Sequence, residues 1–234
     1  MAEVILSNRM QALTDMVTPG TVITDVGCDH GFVSVYLVQK GLSPRVIAMD
    51  VRSGPLERAR EHIREYGLQD RIETRLSDGL HGLKTGEANG MICAGMGGPL
   101  MEKILTEGRE QAQGFAELIL QPQSEIGKVR RFLNEHRLQI IEENMVEEDG
   151  KFYPMMKVIH GEKEEYTVCE YTYGKCLLKQ RHPVLKKYLD REMAIKEHVF
   201  GQLFKHQNSE SAARRMEELK KEIILTQEAL KYYE

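Results

Sequence analysis

The residues with the most chemical content lie between Asp25 and Gly31, where the chain reads DVGCDHG directly after the apolar run TVIT. A glycine-rich turn between a strand and a helix lets backbone come close to a ligand, and the helix that follows offers free N–H groups to an anion. Spacing separates the ligand classes that use such turns. A dinucleotide fingerprint G-x-G-x-x-G started at Gly27 requires glycine at positions 29 and 32, where the chain has Asp29 and Phe32. The phosphate-binding pattern G-x-x-x-x-G-K-[ST] is missing from the chain. The pattern acid-x-G-x-G-x-G of S-adenosylmethionine loops is met by Asp25, Gly27 and Gly31, with Asp29 in place of the middle glycine. A tight turn that holds no ligand is the plain alternative.

Two more acids follow at strand ends. Asp50 closes RVIAMD, where a carboxylate can accept hydrogen bonds from both ribose hydroxyls, as in NAD and S-adenosylmethionine sites alike. Asp78 in LSDGL can accept from an adenine amino group. One acid at a strand end is equally a helix cap, but three at successive strand ends are poorly explained as three separate caps. The fourth run ends in CAGMGG, where base-amino methyltransferases often carry [DN]-P-P-[YF]. Gly95, Gly97 and Gly98 leave an open floor there without a side-chain acid. Such a floor suits a planar base lying against backbone; close helix packing is the other reading.

These residues need a scaffold, and the sequence describes one. TVITDV, RVIAMD, RIETRL, GMICAG and ELILQP read as five buried parallel strands, each apolar and bounded by Gly, Pro or Asp. Between them run helical stretches: GFVSVYLVQKG; SGPLERAREHIREYG, with Ser53 as N-cap, Pro55 in its first turn and Gly67 at its end; GGPLMEKILTEG; and SEIGKVRRFLNEH, with Ser124 as cap. The βαβ series predicts a doubly wound α/β sheet that binds ligands at the C-terminal strand ends. LQIIEENMVEEDGKFYPMMKVIHGE predicts a hairpin turning at Asp149-Gly150. A parallel sheet closed by an antiparallel hairpin is the Rossmann-like class I methyltransferase arrangement. Residues 1–165 form this domain, and residues 166–234 are read as a helical, coiled-coil-like hairpin broken near Asn208-Ser209.

Composition narrows the setting. The 234 residues include no basic leader followed by an apolar run and no membrane-spanning stretch, so a cytoplasmic protein is expected. The four cysteines, Cys28, Cys93, Cys169 and Cys176, form no CxxC pair and no metal-ligand spacing, so no metal is expected and the thiols are read as reduced. The net charge of −4 is uneven: residues 175–206 carry +5 and residues 1–174 carry −8. A basic segment on an acidic chain is what local phosphate contact requires, although a solvated helix face has the same composition.

Together, LSNRMQAL, DVGCDHG, MDV, LSDGL, GMGG and LQP, with the paired C-terminal helices, resemble the bacterial tRNA (adenine-N1)-methyltransferase family of TrmK type over nearly the whole chain. The family form carries another small residue at position 31. The resemblance implies a class I enzyme that uses S-adenosyl-L-methionine to methylate N1 of an adenine in the D-arm region of tRNA. It implies that Gly27, Cys28, Asp29 and Gly31 line the methionine end of the cofactor, Asp50 and Val51 the ribose, and Asp78 and Gly79 the adenine. Gly95, Met96 and Gly97 then line the methyl-transfer floor. Adenine N1 holds a lone pair at neutral pH, so alignment comes before activation, and Asp29 is the candidate catalytic carboxylate for the cationic product. Its alternatives are binding the cofactor amine or fixing the turn. His30 is read as a loop or helix-start residue rather than a proton shuttle, Arg9 as an exposed helix arginine with pairing to the methionine carboxylate or a tRNA phosphate as its alternative, and Phe152 and Tyr153 as core or as stacking partners of an extruded base. The expected partner is tRNA, contacted by the C-terminal helices, with no DNA or membrane and a monomer favoured. Rival readings are a methyltransferase acting on a small molecule or protein, and a non-catalytic S-adenosylmethionine-binding regulator.

Overall fold

A computed structural model describes residues 3–204 and 210–234, and the expected break at Asn208-Ser209 lies outside them. The chain divides into two compact units, Met1–Glu164 and Glu165–Glu234.

The first unit runs α1 (Asn8–Asp15), β1 (Ile23–Val26), α2 (Phe32–Gln39), β2 (Val46–Asp50), α3 (Ser53–Glu65), β3 (Ile72–Leu76), β4 (Gly90–Gly97), α4 (Gly98–Glu107), α5 (Arg109–Ala112), β5 (Glu117–Ser124), α6 (Ile126–Glu135), β6 (Leu138–Glu148) and β7 (Lys151–His160). The strands form one sheet in the order β3-β2-β1-β4-β5-β7-β6. β3 through β5 are parallel; β7 runs antiparallel to β5 and to β6. β1 and β2 are buried along their whole length, so neither alternates between core and solvent, and Thr24, Asp25 and Asp50 are buried polar residues among the apolar ones. The order reverses between β1 and β4, so a crevice opens outside their C-terminal ends.

Asp149 and Gly150 both have positive φ, 51° and 72°, as a two-residue type I′ turn requires, and this fixes the register of the closing hairpin. On α3, Leu56, Ala59 and Ile63 keep helical spacing and are buried against the sheet.

Three local expectations differ from what is observed. β3 is an edge strand and only Ile72 is buried along it, since IETRL alternates and has a neighbour on one side alone. The N-cap of α3 is Arg52 rather than Ser53, which lies inside the first turn. Ser124 is the last residue of β5, and Glu125, with φ 51°, caps α6; the Ser124 hydroxyl instead accepts a hydrogen bond from Gly98 N at 3.3 Å, at the start of α4.

The second unit contains α7 (Val168–Tyr173), α8 (Lys175–Lys179), α9 (Pro183–Phe204) and α10 (Glu210–Leu230). The two short helices were not anticipated. α7 opens with a capping box between Thr167 and Glu170, and α9 packs along α10. Tyr173 reaches Thr226 at 2.9 Å within a buried seam that includes Cys169, Leu185, Leu189 and Leu219. Among the described residues no helix is long and apolar enough to cross a membrane.

Candidate functional site

The turn after β1 is built from left-handed residues: Gly27 (φ 78°), Asp29 (φ 48°) and Gly31 (φ 74°). Gly27 N and Cys28 N both donate to Met49 O, at 2.8 and 2.9 Å, which seats the turn on β2. A Cβ on Gly27 would displace the terminal methyl of Met96, the movable end of a flexible side chain, so the demand for glycine comes from the positive φ. Asp25 lies beneath, buried in β1, and its carboxylate accepts a 2.7 Å hydrogen bond from Ser34 on α2. Burial pushes its pKa up to about 6; the Ser34 hydroxyl opposes that shift, and the nearby charge of Asp50 adds to it.

At the end of β2 the buried Asp50 carboxylate accepts from Arg52 N at 2.9 Å and from Asp29 N at 3.3 Å, tying the first turn to the second strand. Asp78 follows β3, with its carboxylate 3.7 Å from Lys103 Nζ. On β4 the register shifts on either side of Met96, and Gly95 (φ 75°) donates its N–H to Gln121 Oε1 at 3.2 Å. Met96 Sδ also lies 3.5 Å from Cys93 Sγ, a thiol that burial pushes up to about 12.

These strand ends enclose a cavity of about 510 Å³. Gly27 and Asp29 line it from the first turn, Asp50 and Val51 from the second strand end, Asp78 and Gly79 from the third, and Gly95 and Met96 from β4. Four residues singled out in the sequence do not reach it, among them Gly98, which is buried at the start of α4 where a Cβ would stand 2.7 Å from the Ser124 carbonyl oxygen, so its part of the expected floor is close helix packing. Cys28 is buried, its thiol held far above the ordinary range by burial and then by Asp25, Asp50 and Asp29. Gly31 caps α2 and packs on α3, where a Cβ would stand 3.0 Å from that of Ala59. Gly97 caps α4 against Ser124.

The donor set fits S-adenosyl-L-methionine. Two carboxylates at successive strand ends suit hydroxyl and amino donors, and Gly27, held at φ 78°, presents backbone at the cavity lining to the methionine arm. Asp29 in the turn tolerates an ammonium and repels a pyrophosphate. Among the described residues no cluster of His, Cys, Asp and Glu could hold a metal ion.

The methyltransferase-domain family matches residues 6–156. The tRNA (adenine(22)-N(1))-methyltransferase of Bacillus subtilis is 30% identical over 235 residues, covering 98% of this chain and 99% of that protein. This chain belongs to the tRNA (adenine(22)-N(1))-methyltransferase family. Among solved structures, the B. subtilis m1A22 tRNA methyltransferase TrmK has a TM-score of 0.86 at 29% identity, with 97% of this chain and 100% of that one covered. The Streptococcus pneumoniae protein Sp1610 in complex with S-adenosyl-L-methionine gives the same TM-score, identity and coverage.

In this family member, Arg9 lines the cavity, in keeping with its alternative sequence reading and not with the main one, while Gln121 and Gln123 were not singled out. Arg9 is half-buried rather than an exposed helix residue: its guanidinium donates to Gln121 Oε1 at 3.0 Å and sits 4.9 Å above the Tyr153 ring, while its backbone N–H donates to Glu148 at 3.1 Å. Gln121 thus receives both Arg9 and Gly95, joining α1, β4 and β5 at the cavity wall. Gln123 lines the same wall. The only signal in sequence was the run of polar residues closing β5, which is unusual for a buried strand. One face of Tyr153 is covered by Arg9.

Proposed function

We propose that the protein is an S-adenosyl-L-methionine-dependent tRNA methyltransferase that transfers a methyl group to N1 of an adenine, the one numbered 22 in the name of its B. subtilis relative. The observation that carries this reading is the single cavity wall that joins the Asp50 and Asp78 carboxylates to the acid-free β4 floor at Gly95.

S-adenosyl-L-methionine supplies an electrophilic methyl on a sulfonium. Asp50 would accept from its ribose hydroxyls and Asp78 from its adenine amine, and the Gly27 backbone would pass beneath its methionine arm. The β4 floor would hold the target base flat, with its N1 lone pair presented to the methyl group, so that the new N–C bond would form as the C–S bond breaks. Alignment of this kind can contribute about 7–11 kcal/mol to lowering the barrier. No proton has to leave N1 before transfer, and positive charge arrives on the base. Asp29, on the cavity rim with a largely exposed carboxylate, faces that charge.

The second unit is assigned to tRNA contact through phosphates, as a coiled-coil-like hairpin. Its support is the excess of Lys and Arg over residues 175–206, tempered by i,i+4 pairs such as Lys186–Asp190. We read the protein as a cytoplasmic monomer, in keeping with four free cysteines. Incubation of the full chain with unmodified tRNA and labelled S-adenosyl-L-methionine, followed by identification of the methylated nucleoside, tests the reading.

A further inference from the structure

Beside the cavity the first unit carries a partly exposed cluster of three rings. Phe32, the first residue of α2, lies on His62 of α3 with centroids 4.3 Å apart and planes inclined by 24°. His30 flanks this pair, 6.2 Å from Phe32 at 14° and 6.0 Å from His62. His62 Nδ1 is 2.9 Å from the His30 carbonyl oxygen, so a backbone contact holds the arrangement.

Core packing does not account for these rings. Val35, Leu37 and Val38 supply the buried face of α2, whereas Phe32 leaves 39% of its surface in water and the His30 side chain 38%. The cluster is also joined to the methyl-transfer site, because His30 Nε2 lies 3.6 Å from the carboxylate of the cavity-lining Asp29. Four residues before His62, and so on the same side of α3, Arg58 is exposed and forms no ion pair with the described residues. The acid next to it in sequence, Glu57, is engaged by Arg60.

Partly exposed rings with a cation beside them match the chemistry of an unpaired nucleotide, which offers a π-face and a phosphate together. We propose that the His30–Phe32–His62 cluster is a platform for an unpaired base of the RNA substrate, one neighbouring the methylated adenine, with its phosphate at Arg58. The inference rests on the tRNA reading above and adds a contact outside the cavity itself.

Steady-state kinetics of the full chain with an unmodified tRNA transcript test it. Phe32→Leu keeps the apolar volume and removes the π-face; its KM for tRNA is expected to rise about tenfold, and Phe32→Trp to keep it at or below the unaltered value. The affinity for S-adenosyl-L-methionine, read by calorimetry, stays unchanged in both. Arg58→Ala lowers the slope of log KM against log salt by about one. An unchanged tRNA KM in Phe32→Leu overturns the platform, and so does a loss of cofactor affinity that matches the rise in KM, since the cluster would then only shape the cofactor turn. Absence of methyl transfer by the unaltered protein removes the tRNA reading and the platform with it, so the two failures are distinguishable.

Discussion

Asp25, in β1, and Asp29, in the turn that follows, sit four positions apart and meet opposite environments. Asp25 is buried under the turn with its pKa near 6, against 3.8 for the free side chain. Between those values the folded protein binds the proton more tightly than the unfolded chain, so this group's contribution to stability falls as pH rises through that window. Asp25→Asn retains an oxygen for Ser34 and removes the charge. Its stability relative to the unaltered protein is therefore expected to grow by about 3 kcal/mol from below pH 3.8 to above pH 6, read from urea midpoints. A difference independent of pH would contradict the assignment. Asp29→Asn is expected to lower turnover on tRNA about tenfold to a hundredfold with cofactor affinity nearly unchanged; parallel losses in both would make Asp29 a cofactor ligand instead. At this scale the acids at strand ends were legible because an isolated carboxylate after an apolar run is a strong local signal. Arg9 was legible only in its alternative reading, because its partners Gln121, Tyr153 and Glu148 are more than a hundred residues away in sequence.

Elements were legible wherever hydrophobic period or turn chemistry dictated them. The four buried parallel strands and the Asp149-Gly150 hairpin follow from apolar runs and from positive φ at the turn. Caps were read less well: Ser124 resembles a helix start, but pairing of β5 with β4 extends the strand through it and leaves Glu125 to cap α6. Buried charge was hidden for the same reason, since Arg130 and Glu143 fall in segments that look amphipathic. They form an ion pair at 2.8 Å between α6 and β6, with both side chains 1% exposed. Removing one partner by Arg130→Met leaves a buried charge and is expected to cost about 3–5 kcal/mol, whereas joining it with Glu143→Leu recovers most of that loss. Chemical denaturation of the two single variants and the double variant checks this; equal destabilisation by the single and double changes would contradict it.

For the whole molecule, the two units invite separate tests. Residues 3–164 contain the entire cavity and a hydrophobic core that includes Ile23, Val46 and Ile92. Deleting residues 166–234 is therefore expected to leave S-adenosyl-L-methionine binding largely intact, to weaken tRNA binding and to flatten its salt dependence. Calorimetry and filter binding across a salt series read these outcomes, and normal methylation of tRNA by the shortened chain would reassign the helices to another role. The charge asymmetry between the units was visible from sequence alone. The helices α7 and α8 were not, because each is too short to establish a period. The central claim is that this cavity methylates N1 of an adenine in tRNA. Nucleoside analysis of unmodified tRNA after incubation with the full chain and labelled S-adenosyl-L-methionine tests it most directly: N1-methyladenosine is predicted, and label in any other nucleoside, or none despite bound cofactor, would contradict it.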